Sequence, residues 1–420
     1  MATLEEQLAL IDQEIELAIG DKDARRTVYF TIEYCRTLYN TAIDLMNIQQ
    51  YQEAVDLYKE AGKLARNFKP TNADAIGATT DPSEDSIEML YEELKQFELL
   101  SEAYEHFSEA QQSSLSRNPG VAATFFEKGE KSFFKVYELL KDEQYKFRSR
   151  YCHAMQLYTE ALEDLARTNF AASRAKFQRS YLALENLINQ ELVPFYEKEE
   201  NNDNGQQVSL YRSDYLAIKS YYHISEGKYQ FGTRNFKNAE KQFLKAAEVM
   251  KEAHDNYKQH LPSSITFLQL GENSNYLGWA SLSAAEIARE DEKWSLANDS
   301  YEKVRTYWEH AAGYYVQSGL PQAIALQDVL LNQLLNIDVY QNQCEKEQEL
   351  SEKVKKLELQ INELQTKIGD ALKSTGITIN NNTEVITSVQ QNAEFIVQIE
   401  MKAREQVSNL LGALDESNLA

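Results

Sequence analysis

Apolar side chains recur at every third or fourth position over most of the chain, the spacing that places them on one face of an α-helix. Residues 38–61 show the pattern most clearly, with an apolar-spaced helix, a polar elbow at 47–50 and a second helix that begins at Tyr51. No stretch shows the sustained alternation of a β-strand, and glycine and proline are scarce, at 15 and 6 residues. The pattern therefore predicts an all-α protein built as an array of antiparallel helical hairpins.

A signature recurs in the second helix of four predicted hairpins. An aromatic residue is followed three positions later by a small one, four positions later by another aromatic, and three positions later by a final small residue. Large rings separated by small side chains let two helices approach closely while the rings fill the gaps. The copies are Tyr51, Ala54, Tyr58, Ala61; Phe170, Ser173, Phe177, Ser180; Phe236, Ala239, Phe243, Ala246; and Trp294, Ala297, Tyr301, Val304.

This signature resembles the second helix of the tetratricopeptide repeat (TPR). The first helices match less well, the helix-ending proline of the family is absent, and the copies begin 119, 66 and 58 residues apart instead of about 34. The resemblance covers about half of the chain, and an unrelated helical bundle is the alternative. It implies a TPR-like superhelix whose first helices line a concave, partner-binding face.

By that resemblance, six residues occupy concave positions and are candidates for contacting a protein partner. Paired aromatic and cationic side chains suit a peptide with acidic groups, although the rings could instead pack against the next helix. The candidates are Arg36, Tyr39, Tyr221, Lys228, Trp279 and Arg289. The lysines and asparagines with which family members bind a terminal carboxylate are not reproduced.

Breaks in the pattern divide the chain into four segments. We expect an N-terminal helical hairpin at 1–68, a linker at 69–86, a TPR-like array at 87–320, and a long helix with a C-terminal coiled-coil hairpin at 321–420. Within the array, the pattern predicts a helical region kinked near Lys141, a helix that bends at Pro194 because proline lacks a backbone donor, and irregular structure from 260 to 275.

From Pro321 to Lys373 the pattern predicts one continuous helix of about 50 residues, whose last half leaves the array as a stalk. The polar stretch 341–349 should be its most solvated part. A heptad with β-branched residues at a and mostly leucine at d follows, which favours a parallel two-stranded coil and thus a homodimer through 350–371. The seam residues are Leu350, Val354, Leu357, Ile361, Leu364 and Ile368. A periodic segment at 384–414 could instead fold back as an antiparallel hairpin, and both arrangements remain open.

The net charge and the cysteine content restrict the kinds of partner and the compartment that we expect for this protein. The net charge of −23 disfavours nucleic acid and anionic membranes as main partners, because each approach of like charges costs energy. The three cysteines, Cys35, Cys152 and Cys344, are far apart and odd in number, which is typical of reduced thiols. We therefore expect a cytoplasmic protein without a secretory signal or membrane span.

Four arginines form a candidate docking patch for an acidic protein segment: Arg148, Arg150, Arg174 and Arg179. Pairing with the many nearby glutamates is the alternative explanation.

Catalytic and metal-binding motifs do not stand out from the helical pattern, and the histidines are scattered, so we expect no cofactor. The sequence predicts a non-enzymatic scaffold or adaptor that binds another protein. One alternative is a structural protein that self-assembles through the C-terminal coil. Another is a helical enzyme or ligand-binding protein with an unrecognised cavity.

Overall fold

The computed structural model describes residues 3–21, 23–68, 87–198 and 205–374, and every regular element in these ranges is a helix. The elements are α1 (Leu4–Gly20), α2 (Ala24–Asn47), α3 (Tyr51–Asn67), α4 (Ile87–Leu115), α5 (Pro119–Leu140), α6 (Glu143–Ala166), α7 (Phe170–Asn186), a π-helical segment (Leu187–Leu192), α8 (Val193–Lys198), α9 (Gly205–Gly232), α10 (Phe236–Tyr257), α11 (Ser263–Glu290), α12 (Trp294–Ser318) and α13 (Pro321–Ser374). The prediction of an all-α protein is confirmed. The predicted linker at 69–86 and the periodic segment at 384–414 lie outside the described residues.

Most helices pack chiefly against the next one in sequence, and α2 also packs against α4. Five hairpins result within the described ranges: α2–α3, α4–α5, α6–α7, α9–α10 and α11–α12. Their elbows share one geometry. The middle residue of each elbow has a left-handed backbone, with φ between 55 and 64°. The backbone N–H of the residue after it donates a hydrogen bond to the carbonyl oxygen five residues earlier in the chain, at 2.8 or 2.9 Å. This Schellman-type turn satisfies the last carbonyls of the first helix. The middle residues are Gln49, Arg117, Thr168, Arg234 and Glu292.

The elbow before α5 reveals a fifth copy of the aromatic and small signature. Pro119 stands where the other copies have their first aromatic residue, and it is followed at the same spacing by Ala122, Phe126 and Gly129. Ala122 and Phe126 are completely buried, as are the matching residues of the other copies. The sequence pattern did not reveal this copy, because proline at the first position suggested only a break in the chain.

The prediction of irregular structure from 260 to 275 is wrong. Helix α11 begins at Ser263 and passes through Gly271 without a break. A Cβ atom at Gly271 would lie 2.5 Å from the ring of Tyr315, so glycine is needed here for close packing against α12. Gly271 is therefore a contact point between two helices.

Two other predicted interruptions are present in altered form. At Lys141 the kink is a full break, since Lys141 adopts a left-handed backbone (φ 57°) and Asp142 caps α6 by accepting from the backbone N–H of Gln144 at 2.9 Å. Where a bend was expected at Pro194, a π-helical segment lies directly before the proline and begins at Leu187. Proline cannot donate to the helical ladder, and the looser π-helical segment just before it absorbs the disruption.

The long C-terminal helix is confirmed: α13 is continuous over 54 residues. It packs on α12 as α11 packs on α10, and it buries Leu330 and Ile337 there. Its seam leucines Leu350, Leu357 and Leu364 are about half exposed and do not pack into the array. The last part of α13 therefore projects beyond the helices that the structure describes.

The prediction that 341–349 is the most solvated part of this helix is wrong. Cys344 is completely buried, and Glu347 forms an ion pair with Arg289 of α11 at 3.0 Å. Polar contacts hold this stretch against the α11–α12 elbow where apolar residues are scarce, which a search for apolar spacing does not detect.

The array also curls back on itself. The Oγ of Ser264, at the start of α11, donates to the Oε1 of Gln49 in the first elbow at 3.2 Å. Leu115, at the end of α4, packs against the cluster of buried residues formed by helices α9 to α13. The first elbow and the end of α4 therefore contact the later helices.

Candidate partner-binding pocket

A cavity of about 80 Å³ opens between the helices α9, α11 and α13, and Phe170 of α7 and Trp308 of α12 also line it. Aromatic rings make up much of its wall, and Lys228 is the only charged residue among those that line it in the described part of the chain. The lining residues that matter below are Lys228, Phe231, Trp279, Trp308, Gln333 and Tyr340.

Lys228 lies on α9, one turn before the helix ends at Gly232. Its Nζ is 5.4 Å from the centroid of the Trp279 ring, a distance at which the face of the ring attracts a cation. Among the residues that the structure describes, no carboxylate or carbonyl accepts a hydrogen bond from this ammonium group. Burial lowers the pKa of Lys228, and the attraction of Glu272, beyond ion-pair distance, offsets this only in part.

Trp279 is held rigidly from three sides. Its ring centroid lies 5.7 Å from that of Phe231, 5.6 Å from that of Phe243 and 5.6 Å from that of Trp308. The Trp308 indole donates to the carbonyl of Asn275 at 3.3 Å, which fixes the base of the cluster. The pocket wall is thus preorganised, and a ligand would bind without ordering these rings.

Helix α13 supplies the opposite wall. The Oε1 of Gln333 is buried, and within the described ranges no donor reaches it. Tyr340, two turns further along the helix, stacks on Tyr301 of α12 with ring centroids 6.3 Å apart and planes 8° from parallel. The pocket therefore offers one cation and apolar walls, which together suit a ligand with an anionic group and an apolar body.

A buried carboxylate lies behind the cavity. Glu272 of α11 is 3 % exposed, and its Oε1 accepts a hydrogen bond from the hydroxyl of Tyr221 at 3.3 Å. Burial raises the pKa of Glu272, while hydroxyls of surrounding tyrosines favour its charged form. Tyr221 is therefore engaged in the interior, although the sequence placed it among the partner-contacting residues.

Three further predicted contact residues lie away from the pocket. Tyr39 is buried within a cluster that includes Tyr104, at a centroid distance of 5.4 Å. Arg36 pairs with Glu93 at 2.7 Å, and Arg289 pairs with glutamates of α11 and α13. Of the six candidates, the structure brings only Lys228 and Trp279 together.

The four arginines of the predicted docking patch occupy different surroundings. Arg148 lies over the ring of Tyr104 at 5.2 Å with its Nε buried. Arg150 and Arg174 each form an ion pair with a glutamate of a neighbouring element, and Arg179 is exposed. Docking through this patch stays a prediction.

The residues of α13 that line the pocket were missed by sequence reasoning. Gln333, Asn336 and Tyr340 share one helix face at spacings of three and four, but the first third of α13 was expected only to close the last hairpin and not to line a pocket. Its packing after a complete hairpin is the signal that could have found them.

Within the described residues, no three histidine, cysteine or acidic side chains lie close enough together to hold a metal ion. None of the described helices combines the length and apolarity needed to cross a membrane. No protein-family model, curated protein or solved structure matches this chain.

Proposed function

We propose that this chain is a non-enzymatic, TPR-like scaffold that binds a protein partner, and that the pocket receives an acidic side chain of that partner. The observation that supports this most strongly is the Lys228 ammonium, which faces an aromatic cavity without an anion beside it. Lys228 is partly buried, and taking an ammonium group part of the way out of water costs free energy that a ring face offsets only in part. A partner carboxylate would supply the opposite charge that this group lacks.

The lining of the cavity also restricts which residues the bound segment of the partner can carry. An acidic side chain alone would leave the faces of Trp279 and Phe231 in contact with water, so an apolar or aromatic side chain next to it completes the fit. The chain carries a net charge of −23, which repels strongly acidic segments at long range. We therefore expect a single acidic residue flanked by apolar and by neutral or basic residues.

The proposal includes a cytoplasmic location. All three cysteines, Cys35, Cys152 and Cys344, are buried and free. Burial raises the pKa of Cys35 to about 12 and that of Cys344 to about 11, so these thiols are poor nucleophiles at neutral pH. Buried, unreactive thiols are typical of a protein in a reducing compartment.

Affinity capture from the source cells tests the proposal. Tagged wild type should retain a stoichiometric protein partner, and Lys228→Met, which keeps the side-chain length and removes the charge, should lose it. Lys241→Met is the matched control, since Lys241 is an exposed lysine of α10. Absence of a stoichiometric partner, or equal recovery with Lys228→Met, would contradict the proposal.

A further inference from the structure

The side chain of Arg148 on α6 is held in a fixed position, but the end of its guanidinium group has no partner. Its Nε is buried, and its Cζ lies 5.2 Å from the centroid of the Tyr104 ring on α4. Among the described residues, no oxygen accepts a hydrogen bond from Nη1 or Nη2, and neither of these two nitrogens is buried. Arg148 therefore presents a fork of N–H donors to accessible space beside α6.

Tyrosine side chains of four helices lie around this fork. Burial lowers the pKa of Arg148, whereas the electrostatic influence of four tyrosines raises it above its ordinary value: Tyr104 of α4, Tyr211 of α9, Tyr39 of α2 and Tyr145 of α6. No carboxylate stands among these strongest electrostatic neighbours in the described part of the chain. Each tyrosine hydroxyl can donate a hydrogen bond to an anion, so the surroundings of Arg148 hold donors but no opposite charge.

Contacts among the rings keep these tyrosines in place. The Tyr104 ring packs edge-on against Tyr39, with centroids 5.4 Å apart. The Tyr211 ring stacks on Tyr151 at a centroid distance of 4.5 Å, and the Tyr211 hydroxyl accepts a hydrogen bond from Nε2 of Gln207 at 3.4 Å. The donors are therefore preorganised, and an anion would bind without ordering these rings.

The charge around Arg148 favours a carboxylate over a phosphate as the bound anion. The two Nη groups of one arginine can donate parallel hydrogen bonds to the two oxygens of a carboxylate, whose single negative charge the guanidinium balances. A phosphate monoester carries about −1.5 to −2 charges at neutral pH and would leave negative charge beside the rings. The chain as a whole carries a net charge of −23, which adds to this cost. A planar, singly charged anion therefore fits best.

We infer that Arg148 and the tyrosines around it form a carboxylate-binding site, distinct from the pocket at Lys228. Tyr211 stacks on Tyr151, which lies one turn after Arg148, and Lys228 lies 17 positions beyond Tyr211 on α9. The two cations are therefore about 25 Å apart along the direction of α9. Because of this separation, the inference does not rest on the proposed function. The carboxylate belongs either to a small organic acid or to a peptide, two sources that binding measurements can separate.

Titration of the full chain with benzoate tests the site through Arg148 itself. The Nε–H signal of Arg148 in proton–nitrogen correlation spectra, assigned by its absence in Arg148→Lys, should shift and saturate with benzoate and stay in place with neutral benzamide. Arg148→Lys keeps the charge but loses the planar fork, so it should weaken binding about tenfold, measured from the backbone amide signals of α6. Arg179→Lys is the matched control, since Arg179 is exposed on α7, and it should bind benzoate as wild type does.

Two further variants exclude a loss of folding and binding elsewhere on the chain. Tyr145→Phe removes only a hydroxyl, one turn before Arg148, and should weaken benzoate binding about threefold or more with an unchanged circular dichroism spectrum. Lys228→Met should leave the response of the Arg148 signal unchanged, so a failure of the proposed function would not affect this result.

The choice of anion identifies the source of the carboxylate. Tighter binding of N-acetylphenylalanine than of benzoate would assign the site to a peptide terminus, and the reverse order would assign it to a small acid. Four results would each overturn the inference: no response of the Arg148 signal to benzoate or an equal response to benzamide, tighter binding of phenyl phosphate than of benzoate, no weakening by Arg148→Lys or Tyr145→Phe, and loss of the response in Lys228→Met or Arg179→Lys.

Discussion

The indole of Trp308 packs directly on the backbone of α11 at Gly278, where an added Cβ atom would lie 2.2 Å from Nε1 of the ring. The same arrangement recurs between Gly227 of α9 and the ring of Phe243, at 2.5 Å. In both hairpins a glycine of the first helix admits an aromatic ring of the second. The two rings that pack against these glycines, Phe243 and Trp308, also hold Trp279 in place beside Lys228.

Gly278→Ala should lower the free energy of unfolding by about 1–3 kcal/mol, because the methyl group cannot enter without displacing a buried indole. Chemical denaturation followed by circular dichroism measures this change. Gly313→Ala is the control, since a Cβ at Gly313 of α12 meets nothing within 4 Å. It should be neutral or stabilise the fold by up to about 1 kcal/mol, as alanine favours helix. Equal effects of both substitutions would contradict this packing.

Thr168→Gly should stabilise the protein by about 0.5–1 kcal/mol. Thr168 holds φ at 58° in the α6–α7 elbow, a conformation that a β-branched residue adopts only with strain and glycine adopts freely. Arg167→Gly, one residue earlier in a right-handed conformation, should destabilise by a similar amount. Thermal melting of the two variants should therefore shift in opposite directions.

The raised pKa of Asp214 predicts that the free energy of unfolding depends on pH. Burial raises its pKa from 3.8 to about 6, although the hydroxyl of Tyr151 donates to its Oδ2 at 2.8 Å. The folded chain therefore holds a proton that the unfolded chain has lost between these values. The stability contributed by this group is present below about pH 4 and is lost as the pH rises through 6.

Asp214→Asn removes that titration while keeping an acceptor for Tyr151. Its free energy of unfolding, relative to wild type, should rise by up to about 3 kcal/mol between pH 4 and pH 7, as the shift in pKa implies. Urea titrations at both pH values measure the difference. A difference that does not change with pH would show that Asp214 is not desolvated in solution.

Lys228→Met should leave the free energy of unfolding unchanged or raise it by up to about 1 kcal/mol, because a partly buried ammonium without an anion beside it contributes little to the fold. Arg289→Met is the comparison, since Arg289 is paired with Glu286 and Glu347. That variant should lose about 2 kcal/mol or more, as it strands partly buried carboxylates. A large loss with Lys228→Met would assign Lys228 to the structure and not to a ligand.

Much of the fold follows from local pattern. The burial of Tyr58, Phe177, Phe243 and Tyr301 was predictable because rings at fixed spacing on a helix can only fill the gap to a neighbouring helix. The continuity of α13 was predictable for the same local reason, the absence of proline and the persistence of apolar spacing.

Features that depend on a distant residue were not predictable in this way. The stretch 260–275 was expected to be irregular, because the ring of Tyr315 that fits against Gly271 is 44 positions away. The polar stretch around Glu347 suggested solvent because its partner, Arg289, lies on another helix. Likewise, Lys228 and Trp279 could be proposed as contact residues from their positions in the repeat, but the wall that α13 adds opposite them depends on how three helices pack together.

Photo-crosslinking from the pocket wall tests the central proposal most directly. A benzoylphenylalanine introduced at Asn336, which lines the pocket, should cross-link one protein in source cells, and the same group at exposed Lys241 should not. Mass spectrometry should locate the cross-link in a partner segment that carries an acidic residue beside an apolar or aromatic one. Absence of a position-specific adduct, or an adduct with a segment lacking an acidic residue, would contradict binding at Lys228.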